Sequence, residues 1–234
     1  MPDKKIIVAL DFSNTREALT LIDQLDPAAC RVKIGNELFT TAGPSFVKDV
    51  IQRKFDVFLD LKFHDIPNTV ARAVSVVAEM GVWMTNIHAV GGGVMMEQAK
   101  SALDSFGDSR PLLLGVTVLT SMAEAELQDV GMDCNLEEQV KRLAGLSNAV
   151  ALDGVVCSAA ETSMLRASLP AEFCLVTPGI RRPEDAVGDQ KRVVGPAQAI
   201  VNGSDYLVVG RPITRADSPL EALQAFNTAV ASVL

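Results

Sequence analysis

Short apolar runs rich in Val, Ile and Leu recur along the chain, separated by longer stretches with helical spacing. Eight runs read as strands: KIIVALD (5–11), RVKIG (31–35), DVFLDLK (56–62), WMTNIHA (83–89), LLLGVTVL (112–119), GVVCSA (154–159), FCLVTPGI (173–180) and YLVVGR (206–211). Among the intervening stretches, TREALTLIDQL (15–25), IPNTVARAVSVVAEMG (66–81) and LEEQVKRLAGLSNAVA (136–151) each have the length of a crossover helix. Strands and crossovers in this number close most simply into an α/β fold, the (β/α)8 TIM barrel. An open doubly wound sheet is the alternative, but no G-x-G-x-x-G follows the first run. Neither a Gly/Ser linker nor a low-complexity segment divides the chain, so residues 1–234 are expected to form a single barrel domain. The triple glycine at 91–93 reads as a tight turn rather than a phosphate cradle.

Composition narrows the function without naming it. A chain of 234 residues that is 48% hydrophobic can bury a large core, and its net charge of -8 argues against nucleic acid or an acidic membrane as the main partner. No run approaches the roughly 18 apolar residues of a membrane span, so a cytoplasmic protein is expected. The four cysteines, Cys30, Cys134, Cys157 and Cys174, include no C-x-x-C and read as small core residues rather than a zinc site or a disulfide framework. His64 and His88 are the only histidines, which leaves a Ser/His/Asp triad or a multi-histidine metal site few possible members.

In a (β/α)8 barrel the active site lies where the strands end. The predicted ends are unusually polar. Asp11 follows the first run, Lys33 lies on the second, Asp60 and Lys62 on the third, and Thr120 and Ser121 follow the fifth. TPGIRRP after the seventh carries Arg181, and the eighth leads into Gly210 and Arg211. A lone charge at a strand end is ordinary solvation, but several converging on one mouth suggest a site. The loops after strands seven and eight often bind phosphate, for which Arg211 offers a planar fork of donors and Gly210 a close backbone approach. The long polar segment IRRPEDAVGDQKRVV (180–194), containing Arg181 and Gln190, is expected to act as a lid.

Strand alternation sends Asp60 and Lys62 to one face. A Schiff-base lysine must lose its proton, which carboxylate neighbours oppose, so Lys62 reads as an ammonium that donates a proton or stabilises a carbanion. Lys33 stands where a divalent metal would want a second acidic ligand, so no metal is expected.

The motif D-x-K-x-x-D-I-P-N-T (60–69), followed by L-T-S (119–121), P-G-I-R (178–181) and V-G-R-P-I (209–213), resembles the orotidine 5'-phosphate decarboxylase family, with the motifs in the family's order across nearly the whole barrel. The resemblance implies cofactor-free decarboxylation of orotidine 5'-monophosphate to uridine 5'-monophosphate in pyrimidine synthesis. Lys62 would give a proton to C6, the pyrimidine carbon that loses carbon dioxide, with Asp60 beside the departing carboxylate. Asp11 and Lys33 would contact the ribose region, with Lys33 part of the catalytic cluster. Thr120 and Ser121 would face the base, while Pro178, Arg181, Gln190, Gly210 and Arg211 would bind the substrate on the lid and phosphate side. Asp65, counted among the catalytic residues, and Thr69 would reach into the other subunit's site in a homodimer.

A substrate carboxylate about 4 Å from Asp60 would be repelled by roughly 4 kcal/mol at an effective dielectric near 20, about a thousandfold in rate if fully relieved. That repulsion is only part of an account, and carbanion stabilisation by Lys62 and phosphate binding carry more weight. Three rivals share some of these features: a magnesium-dependent sugar-phosphate enzyme, a phosphate-ligand binder without chemistry, and a merely structural ion-pair network. The stretch 122–134 suggests no role.

Overall fold

The protein is described here by a computed structural model covering residues 3–182, 185 and 194–234. Eight parallel strands, β1 (Ile6–Ala9), β2 (Arg31–Gly35), β3 (Val57–Phe63), β4 (Met84–His88), β5 (Leu112–Val116), β6 (Gly154–Val156), β7 (Cys174–Thr177) and β8 (Tyr206–Val209), close in chain order into one barrel. The sequence-based expectation of a (β/α)8 fold is met. Six of the eight strands are shorter than the apolar runs, chiefly because Leu10 and Asp11, 117–119, 157–159, 178–180 and Gly210 leave the sheet at its C-terminal rim. Those displaced residues form much of the site.

The principal crossover helices are α1 (Thr15–Ile22), α2 (Asn36–Gln52), α3 (Pro67–Glu79) and α4 (Gly93–Ser101). After β5 come α5 (Glu124–Asp129), within the stretch that suggested no role, and α6 (Leu136–Ala149). The shorter α7 (Thr162–Arg166), α8 (Pro196–Val201) and α9 (Arg211–Thr214) precede the closing α10 (Pro219–Ala231). Asn14 starts α1 by accepting the Glu17 N–H at 3.0 Å and donating to the Glu17 carboxylate at 2.7 Å, a reciprocal cap satisfying groups that a helix end leaves unpaired. Asn135 starts α6 by accepting the Glu138 N–H at 2.8 Å. In α2 the helical path breaks at Gly43, whose φ of 68° suits glycine, just before Pro44. Gly92, with a φ of 88°, makes the turn expected of the triple glycine and leads into α4.

Apolar side chains fill both the barrel interior and the space between strands and helices. Ile7, Phe58, Met84, Leu114 and Val176 pack inside it, while larger clusters lie under α1, α2 and α10 on one side and α3, α4 and α6 on the other. Burial on both strand faces explains why the runs read as continuously apolar. At the N-terminal end, Arg31 stacks 4.0 Å from the Trp83 ring, and Trp83 meets Tyr206 edge-on at 5.1 Å. Two acids reinforce that end. Asp153 takes both forks of Arg110 at 2.7 Å and the Leu113 N–H at 2.8 Å, whereas Asp205 takes Arg166 and the Leu175 N–H. No described helix is long and apolar enough to cross a membrane.

The pairing of β3 with β4 is irregular. Leu59 lies opposite Thr85 and Phe63 opposite Ile87, so β3 places Asp60, Leu61 and Lys62 against Asn86 alone. Such a bulge bends the strand and re-aims its side chains. Lys62 sits at its end with a φ of 52°, an uncommon conformation for a residue with a side chain.

Candidate active site

The charged strand ends meet at the C-terminal mouth. Lys33 Nζ lies 3.0 Å from Asp11 Oδ1 and 3.3 Å from Asp60 Oδ2, and Lys62 Nζ lies 2.7 Å from Asp60 Oδ1. β1 through β3 thus deliver a chain of alternating sign, Asp11, Lys33, Asp60, Lys62. Gly35 leaves room for it, since a Cβ there would come within 3.0 Å of Lys33 Nζ. Lys33 and Asp60 are both buried, so their charges must be compensated. Burial opposes the charge on Lys33, but Asp60 and Asp11 outweigh it and hold its pKa above the ordinary lysine value. Burial likewise opposes the Asp60 carboxylate, yet Lys33, Lys62 and the Asn86 amide bring its pKa below the usual carboxylate value.

Two cavities flank this chain of charges. One of about 170 Å³ is lined by Asp60, Lys62 and Thr120 together with apolar Val116, Val118 and Val156. The other, about 670 Å³, is lined by Asp11, Arg181, Gly210 and Arg211. Lys33, Pro178 and Val208 line both, so the two are adjoining parts of one cleft. The smaller part, narrow and largely apolar, suits a flat ring. The larger suits an anion. Arg181 is buried beside Arg211, and its pKa is lowered first by burial and then by that second guanidinium. Its Nη1 donates to the Ile180 carbonyl at 2.8 Å, while its buried Nε has no hydrogen-bond partner among the described residues. A buried orphan donor beside a second cation marks a place for anionic oxygens.

Other expected residues lie apart. Ser121 is exposed and lines neither cavity, unlike its neighbour Thr120. Asp65 and Thr69 are exposed on the loop and first turn after β3 and likewise line neither cavity; the Asp65 carboxylate accepts the Ile66 N–H at 2.6 Å. Gln190 and most of the expected lid lie outside the described residues. His88 is half-buried 5.7 Å from the His64 ring, and burial, with help from His64 and Lys62, lowers its pKa so that the neutral imidazole is favoured.

Two features of the site are not apparent in the sequence. The apolar wall from β5 and β6 reads there only as strand core. Asn86 is fully buried, accepts the Lys62 backbone N–H at 2.8 Å through Oδ1 and donates to Asp60 Oδ1 at 2.7 Å through Nδ2. Its signal was the polar pair Thr85 and Asn86 inside WMTNIHA, which a strand buried on both faces does not otherwise need.

Similarity to known proteins supplies an independent line. A family model described as Orotidine 5'-phosphate decarboxylase / HUMPS family matches residues 4–226. The orotidine 5'-phosphate decarboxylase of Aliivibrio fischeri (strain MJ11) is 57% identical over 234 residues, covering 100% of both chains. The protein of the same name from Actinobacillus succinogenes is 55% identical over 231 residues, covering 99% of this chain and 100% of its own. Among solved structures, orotidine 5'-phosphate decarboxylase from Lactobacillus acidophilus superposes with a TM-score of 0.86 at 38% identity, covering 97% of this chain and 99% of that one. The closed parallel barrel agrees with that superposition, and the match in sequence runs through every strand end that carries a charge: the chain belongs to the orotidine 5'-phosphate decarboxylase / HUMPS family.

Proposed function

We propose that this protein decarboxylates orotidine 5'-monophosphate to uridine 5'-monophosphate, in pyrimidine biosynthesis, with Lys62 as the proton donor to C6. The observation that carries the reading is the Asp60–Lys62 pair, 2.7 Å apart, lining a narrow apolar cavity that adjoins a wider one with two guanidiniums. Pyrimidine and phosphate each have a matching half of the cleft, with Asp11 and Lys33 between them for the ribose. The C6 carboxylate would face Asp60. As the C6–carboxylate bond breaks, carbon dioxide departs and the electron pair stays on C6, next to the Lys62 ammonium. A proton moves from Nζ to C6, and solvent returns one to the amine. The groups are preorganised for charge that develops only as the reaction proceeds, which is where binding energy accelerates chemistry.

The proposed phosphate anchors are Arg181, Gly210 and Arg211, with Pro178 between the two halves of the cleft and Gln190 a further substrate contact carried by resemblance alone. Arg211→Ala is expected to weaken uridine 5'-monophosphate by about a hundredfold, on the scale of a charge-assisted contact of 1.5–3 kcal/mol, and to leave uridine unchanged. Calorimetric titration of both ligands checks it, and equal losses would remove Arg211 as the anchor.

The donor set fits an ammonium better than a divalent ion. Lys33 Nζ occupies the space between Asp11 and Asp60 where metal ligands would have to converge, and no group of three His, Cys, Asp or Glu suited to a metal occurs among the described residues. Carbon dioxide release from orotidine 5'-monophosphate is therefore expected to be unchanged in excess chelator. Loss of activity restored by magnesium would instead favour a sugar-phosphate chemistry. This assay tests the proposed function as a whole.

We also propose a homodimer with shared sites. Asp65 and Thr69 are exposed, Ile66 next to Asp65 at the start of α3 is 68% exposed, and Val94 at the start of α4, the helix packed against α3, is 62% exposed. Apolar side chains at a polar rim favour cover by another protein surface. A second copy related by a two-fold axis would cover this patch and receive Asp65 at its own cleft.

A further inference from the structure

We infer that Asn86 is a positioning residue for the proton transfer, its one side-chain amide holding both the backbone of Lys62 and the carboxylate of Asp60. The inference rests on the reading of Lys62 as donor. Three residues of β3 face Asn86 alone across the bulge, so the Lys62 N–H finds a side-chain oxygen in place of a strand-four carbonyl. A backbone N–H can only donate. Oδ1 must therefore face Lys62, and this fixes Nδ2 toward Asp60, an orientation set by chemistry rather than by fit. Asp60 Oδ1 receives two donors, the Asn86 amide and Lys62 Nζ, each at 2.7 Å.

The consequences for the reaction are specific. Lys62 occupies the left-handed region at a φ of 52°, which needs support from its surroundings to persist. Asn86 supplies that support from a strand 24 residues away in sequence. The same amide favours the ionised Asp60 and stops its carboxylate from turning, so the ammonium has one place to sit. Neighbouring Thr85 makes a contrast: its hydroxyl donates to the Leu59 carbonyl at 3.0 Å, bracing the strands without touching a charged group.

The test compares Asn86→Ala and Asn86→Asp with the parent, measuring carbon dioxide release across pH, uridine 5'-monophosphate binding and thermal melting. In the alanine variant kcat is expected to fall about ten- to a hundredfold, the scale of one hydrogen bond to a charged group, while product binding stays within about threefold. Its acid limb should move to higher pH, because Asp60 loses a donor that favours its charged form. The aspartate variant keeps the acceptor for the Lys62 N–H, but the new carboxyl must share a proton with Asp60. Its kcat should therefore rise toward the parent's as pH falls, and drop as pH rises and the shared proton is lost. A purely structural asparagine predicts no such inversion. The inference is overturned if the alanine variant keeps kcat within about threefold of the parent with an unmoved acid limb, or loses kcat and product binding equally. Should that variant not fold, an aspartate variant whose kcat follows the parent's pH profile overturns it instead. A parent that releases no carbon dioxide overturns the underlying function, whereas an active parent with indifferent variants overturns only the role of Asn86.

Discussion

Lys62→Ala is expected to lower turnover of orotidine 5'-monophosphate by ~10⁴-fold or more, since it removes both a proton donor and the cation nearest the developing carbanion. Binding of uridine 5'-monophosphate should survive within about tenfold, because phosphate and ribose contacts lie elsewhere in the cleft. The product is the right probe. It has no carboxylate at C6, so the variant's excess negative charge around Asp60 does not repel it. Asp60 remains paired with Lys33 at 3.3 Å, and Lys62 is partly exposed, so the fold should tolerate the change. Single-turnover kinetics and product titration separate the two effects. Turnover within tenfold of the parent would show that the proton comes from another group.

Equal mixtures of Lys62→Ala and Asp65→Ala homodimers, each nearly inactive, are expected to recover about a quarter of parental activity once their subunits exchange. Each site in the first variant lacks the donor, and each site in the second lacks the carboxylate contributed by its neighbour. A mixed dimer places an intact Lys62 opposite an intact Asp65 at one site and both lesions at the other. Random exchange makes about half the dimers mixed, with one good site in two, which gives the quarter. Exposure of Asp65 outside both cavities of its own chain motivates the experiment. If mass measurement verifies exchange and activity does not rise, Asp65 acts within its own chain.

Much of the barrel is legible in the sequence, because each buried strand must be apolar along its length and each crossover needs a helix-length segment. Both demands are local. The strand-end charges were readable for a related reason: Asp11, Lys33, Asp60 and Lys62 stand out against apolar runs, and barrel topology brings strand ends together wherever they lie in the chain. Other features were not legible. The β5–β6 wall uses residues indistinguishable from ordinary core, and nothing in the L-T-S motif tells that Thr120 lines the smaller cavity while exposed Ser121 lines neither.

The order of strands, the polar ends and the family motifs are written in the chain, since hydrophobic period and residue type are properties of neighbours along it. Simple alternation also pairs Asp60 with Lys62. How that pair is held depends on the folded molecule. The register of β3 against β4, the bulge and the left-handed Lys62 depend on contacts between residues 24 to 26 positions apart, and a single buried amide joins them. Likewise Asp65 and Lys62, three residues apart, differ in whether they face the cleft, because the chain turns between the bulge and the start of α3. A periodic pattern records which face of a regular element is buried; it holds no information about where the element departs from regularity, and the proposed chemistry lies at that departure.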